Sequence, residues 1–203
     1  AFRHTLLQEV VYAELFTGER LRLHAGFARA LEARATTASP APVAELAYHW
    51  DAARDDRRAL VAHVDSAMAA ERVYAHAEAH SHYERAIELW DRLPHSEAEA
   101  LVPGDRVALI QRAAEAASLA GEHARAIELG RTAILAVDPA TDPVRAGLLN
   151  ERLRWFLWEA GDQRAAAEAV RAALVLIPAD PPSEPRARAL AHLGGVLLFA
   201  GSF

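Results

Sequence analysis

The chain has 203 residues, a formal charge of −6 at pH 7, 52% hydrophobic and 25% charged residues, enough apolar content for a sizeable core and too much for long disorder. It has no cysteine, which excludes disulfides and thiolate metal sites, and all 22 basic residues are arginine. The negative balance argues against a nucleic-acid-binding surface, and the longest apolar run, GGVLLFAG near the C-terminus, is too short to cross a bilayer.

The opening AFRHTLLQEV has neither an initiator Met nor a signal-peptide pattern and reads as part of a longer cytoplasmic protein. Leu6, Val10 and Leu15 predict one apolar helical stripe. Leu23, Phe27, Ala30 and Leu31 predict a second, with Thr17-Gly18 as the turn between them and Thr17 as N-cap. ATTASPAP is a small, polar, Pro-containing linker. Val43, Leu46, Ala47 and Trp50 then share one side of a further short helix, and Ala79, Tyr83, Ala86, Trp90 and Leu93 mark another. Within that stretch His76 and His80 lie one helical turn apart, close enough to share a metal, with His82 nearby. Glu78 falls on another face, so exposed helix histidines are the simpler reading.

From residue 104 onward a repeat governs the pattern. Val107, Ile110, Ala113, Ala114 and Ala117 precede Gly121, and Ala126, Leu129, Ala133 and Val137 follow it, until Asp138-Pro139 ends the second helix. Leu149, Leu153 and Phe156 precede Gly161; Ala166, Val170 and Ala173 follow it, and Pro178 closes the unit. A third unit begins with Leu190, Leu193, Gly194 and Leu197 and reaches Gly201. Each unit reads as two antiparallel helices joined by a tight Ala-Gly turn. Small residues at matched positions allow the helices to approach closely. Stacked hairpins then bury one another's apolar faces, the logic of an all-α solenoid.

This spacing resembles the tetratricopeptide repeat, in a longer version near forty residues. The resemblance is carried by Ala113-Ala114, Gly121, Ala126, Ala133 and Pro139, then by Gly161, Ala166 and Ala173, then by Leu193-Gly194 and Gly201. Arg154 departs from it, standing where the family has Gly or Ala. The N-terminal stretch adds a second resemblance. Phe2, Arg3, His4, Leu6, Leu7, Glu9, Val11 and Tyr12, then Gly18, Glu19, Arg20, Arg22, Leu23 and His24, are similar to the segment joining ATPase and repeat regions in large LuxR-family regulators of the MalT-like, STAND-type class. AELAYHWDAARD and YERAIELWDRLP also fit.

The resemblance implies an ATPase before Ala1 and a DNA-binding helix-turn-helix after Phe203. It divides the chain into a helical connector at 1–55, following an absent ATPase and winged-helix region, and tetratricopeptide-like repeats at 56–203, the last truncated. No Gly-rich phosphate loop occurs here, so this segment is expected to hold no cofactor, ATP or ADP belonging to the absent ATPase domain. His4 has a nucleotide-contacting role in that analogy, or else simply packs on the first helix.

The expected function is a non-catalytic sensor or protein-interaction segment, with no enzyme activity of its own. Its groove would take a protein or small-molecule inducer that controls the ATPase. The alternative is a free-standing tetratricopeptide adaptor for a partner peptide. A metalloenzyme would rest on the histidines alone. Candidate groove residues are Gln111 and Glu115 on one first helix and Glu151, Arg152, Trp155 and Trp158 on the next. The tryptophans read either as recognition aromatics or as core filling around Arg154, and the charged groups either as ligand contacts or as surface pairs. Leu190, Leu193, Leu197 and Leu198 lack the second helix of their hairpin, and the expectation is that they pack on an earlier repeat or self-associate. No contact with nucleic acid or membrane is expected.

Overall fold

The computed structural model describes residues 10, 12–36 and 42–199, and among them every regular element is an α-helix. In chain order these are α1 (Thr17–Arg34), α2 (Val43–Ala52), α3 (Asp56–Arg72), α4 (His76–Trp90), α5 (His95–Leu101), α6 (Arg106–Leu119), α7 (His123–Leu135), α8 (Pro143–Glu159), α9 (Gln163–Leu176) and α10 (Glu184–Phe199). Two compact units form. One holds the described residues up to Val73 with Arg85–Pro103; the other holds Tyr74–Glu84 with the described residues from Gly104 onward. The boundary therefore passes through α4.

In the first unit α1 packs on α2 and α2 on α3; in the second α6, α7, α8, α9 and α10 each pack on the next. This is the neighbour-on-neighbour packing of an α-solenoid. Aspartates start several of the helices. Asp55, Asp105, Asp142 and Asp162 each accept from a backbone N–H three residues on, at 3.2, 2.9, 3.0 and 2.9 Å, satisfying donors that have no partner inside the helix.

The hairpin turns share one hydrogen-bond skeleton. Glu122 N donates to Ala117 O and Asp162 N to Leu157 O, both at 2.9 Å, the six-residue closure of a Schellman motif. Gly121 and Gly161 occupy its left-handed position at φ 86° and 82°. The α2–α3 turn is built identically, with Asp55 N donating to Trp50 O at 3.1 Å. Its left-handed residue is Arg54, at φ 57°. Tyr74, between α3 and α4, adopts φ 60° and is exposed.

Close packing follows the small residues. Ala126, Ala133, Ala166 and Ala173 are completely buried. A Cβ on Gly130 of α7 would meet Leu153 and Phe156 of α8 at 3.3 Å, and one on Gly147 would lie 2.4 Å from Ile177 Cγ1. Neither glycine stands out in the sequence pattern. Gly194, which does, has open space where a Cβ would be, and Gly201 lies outside the described residues.

Several local expectations need correction. Thr17 is the first helical residue of α1, not its cap. Phe16 N donates instead to Glu19 Oε2 at 2.9 Å, so no hydroxyl is needed there. Leu23, Phe27 and Ala30 are exposed, while His24 and Ala28 face inward. His24 wins the inward position because polar groups meet it there: the Tyr12 hydroxyl at 2.9 Å from Nε2 and His49 Nδ1 at 2.8 Å from Nδ1. His80 is also buried, not exposed, with Nδ1 3.2 Å from the Ala113 carbonyl. Leu6 and the other matched positions up to Glu9, with Val11, lie outside the described residues. On α10, Ala189 and Val196 are buried and Leu193 packs on the α9 core at Val170, Ala173 and Ile177. Leu190 and Leu198 remain more than half exposed.

Candidate functional site

The helices that open each hairpin of the second unit carry an ion-pair ladder that advances by one repeat. Arg145 on α8 grips Asp105, the N-cap of α6, forty residues earlier, through two N–O contacts of 2.6 Å. This fork-to-carboxylate geometry holds the Asp105 carboxyl down at about 2. One step along the same helices, Arg152 Nε sits 2.9 Å from Glu115 Oε1. Glu151 points the other way, toward α10: His192 Nδ1 lies 2.6 Å from its Oε1 and Arg188 Nε 3.9 Å from its Oε2.

Glu151 also neutralises Arg154 at 3.6 Å, and both are buried, at 8% and 7% exposure. Burial pulls the Arg154 guanidinium below its usual range, and Glu151 opposes that pull. The position where Gly or Ala was expected thus holds a cation made tolerable by an acid one turn earlier. Trp155 stands beside it, with Arg154 Cζ 5.8 Å from a ring centroid, and is 38% exposed. Trp158 is half-buried, as is Gln111.

Of the six groove candidates, the structure joins Glu115 to Arg152, turns Glu151 inward, and leaves Trp155 open to solvent. Sequence reasoning missed Arg188 and His192, which complete the Glu151 cluster. Their signal was available: both lie about one repeat beyond Glu151.

The first unit has its own concave feature. A cavity of about 520 Å³ opens beside Trp50, with Val43, Leu46, Val61 and Leu101 as apolar lining and Asp55, Arg57 and Asp65 among its charged groups. Trp50 Nε1 donates to Glu32 Oε1 at 2.9 Å, and Arg58 Cζ lies 4.5 Å from a Trp50 ring centroid. Burial pushes the Asp65 carboxyl up. Among the described residues no group of three His, Asp or Glu side chains gathers as a metal site, and no helix is long and apolar enough to cross a membrane.

No family model matches this sequence, and no curated protein matches it.

Proposed function

We propose that this chain is a tetratricopeptide-like sensor and interaction segment of a LuxR-type, ATPase-containing transcriptional regulator, acting without catalysis of its own. A protein or small-molecule inducer would dock on the face formed by α6, α8 and α10. The observation that carries this reading is the ion-pair ladder, which links the opening helices of successive hairpins and leaves Trp155 exposed among them. An exposed tryptophan within a field of fixed charges supplies apolar contact area together with orientation. The N-terminal resemblance, which includes Tyr12 and Gly18 to His24, supports the regulator context.

The mechanism is a population shift. A ligand that binds one arrangement of the hairpins better than another biases the attached ATPase by that difference in affinity and no more. Reading the coding frame on both sides of this segment tests the assignment. A phosphate-binding loop upstream and a helix-turn-helix downstream are expected; their absence from the complete frame would overturn it in favour of a free-standing adaptor.

A further inference from the structure

The cavity beside Trp50 lies wholly within the first unit and draws its lining from α1, α2, α3 and α5. On α3, Arg58, Val61, Ala62 and Asp65 recur at helical spacing, so Val61 and Asp65 stand one turn apart on the stripe that faces the cavity. Val43 and Leu46 of α2 and Leu101 of α5 add apolar wall. Glu32 of α1 is fixed by the Trp50 indole, whose Nε1 donates to its Oε1 at 2.9 Å. At about 520 Å³ the space matches the size that holds a small organic molecule.

The charges around it do not cancel. Both lining arginines are committed: Arg57 Nε lies 2.9 Å from Glu97 Oε1, and Arg58 has Asp55 at 3.9 Å and the Trp50 ring at 4.5 Å. The acids are less well served. Glu32 is met by a neutral N–H, and Asp65 has no hydrogen bond or ion pair among the described residues. Burial pushes the Asp65 carboxyl up, and Arg72, acting from beyond ion-pair distance, only partly opposes it. With the partners outside the lining included, four carboxylates (Glu32, Asp55, Asp65 and Glu97) face three arginines (Arg57, Arg58 and Arg72).

We propose that this cavity binds an organic cation, a protonated amine carrying an apolar body. A neutral apolar ligand would cover Asp65 and strip water from its charge without replacing it, and an anion would find no uncommitted arginine. An ammonium group offsets that cost at Asp65 while its body lies on Val61, Leu46 and Leu101, and Glu32 adds negative potential. The Trp50 face is already taken by Arg58, so the carboxylates and not the indole recognise the charge. These residues are separate from the α6–α8–α10 face, and the proposal does not depend on the regulator reading.

The test is calorimetric titration of the purified 203-residue chain at neutral pH with three probes of similar shape: 2-phenylethylamine, 2-phenylethanol and 3-phenylpropionate. Saturable binding is expected from the amine, about tenfold or more tighter than the alcohol, with the carboxylate weakest. Asp65→Asn keeps the shape and removes the charge. Because burial opposes that charge, the variant should melt no lower than the parent, and its amine affinity should drop about tenfold, to that of the alcohol. Glu32→Gln, which keeps an oxygen for the Trp50 N–H, should lose a smaller factor. Val61→Thr should weaken amine and alcohol alike. No saturable heat from the amine, equal affinity for amine and alcohol, or an Asp65→Asn chain that keeps the parent's amine affinity would overturn the proposal.

Discussion

The α2–α3 hairpin of the first unit and the α6–α7 and α8–α9 hairpins of the second close with the same bonds on different residues. In each, the residue before the left-handed position donates to a carbonyl four residues back: Ala53 to His49 and Ala120 to Ala116 at 2.9 Å, and Ala160 to Phe156 at 3.1 Å. The left-handed residue is Arg54 in one and glycine in the others. The geometry of turning one helix back on the next demands the conformation, and glycine is only its least costly occupant. A Cβ at Gly121 or Gly161 would meet nothing within 4 Å, so what glycine supplies there is backbone freedom, not space.

That difference explains what could be read from the sequence. The second unit announced itself because glycines mark its turns, prolines follow its hairpins, and apolar residues recur at helical spacing. The first unit hid its turns behind Arg54 and Tyr74, neither a turn residue by type, so α3 had no visible start. α5, at His95–Leu101, fell between the stripe that ends at Leu93 and the repeat that starts at residue 104, where no helix was expected. On α1, Leu23 and Phe27 had the right spacing for an inward face, yet the polar partners of His24 decided the orientation. Gly130 and Gly147, where a Cβ would collide with a neighbouring helix, looked like ordinary helix glycines because the contact comes from residues far along the chain. In the candidate face the members on α6 and α8 were legible by register, and Arg188 and His192 were passed over because α10 was read for its leucines and Gly194.

Two variants probe the packing that the second unit's glycines permit, beginning with the largest effect. Gly147→Ala places a Cβ 2.4 Å from Ile177 Cγ1 and 3.1 Å from the Ala173 carbonyl oxygen. It should cost about 1–3 kcal/mol in urea unfolding, with amides of α8 and α9 losing exchange protection first. Gly194→Ala, with open space around it, serves as the control and should be neutral or slightly stabilising. A neutral Gly147→Ala would show that the α8–α9 contact is looser than described.

A smaller effect separates the first unit by pH. Burial, with His49 adding to it, lowers the His24 pKa from the usual 6.5. The folded state therefore favours the neutral ring, and the unfolded chain binds more protons below pH 6.5. Stability should fall as pH drops through that value, with α1 loosening from α2, and His24→Gln should flatten the dependence. Protection of α1 amides that does not change between pH 7.5 and 5.5 would contradict this.

The most direct test of the shared turn is a reciprocal exchange, Arg54→Gly in one hairpin and Gly121→Arg in another, measured by urea denaturation at fixed pH. If both positions obey the same backbone requirement, the first should gain about 1 kcal/mol and the second lose about 1 kcal/mol, with unchanged slopes. A destabilised Arg54→Gly, or a Gly121→Arg as stable as the parent, would contradict the account.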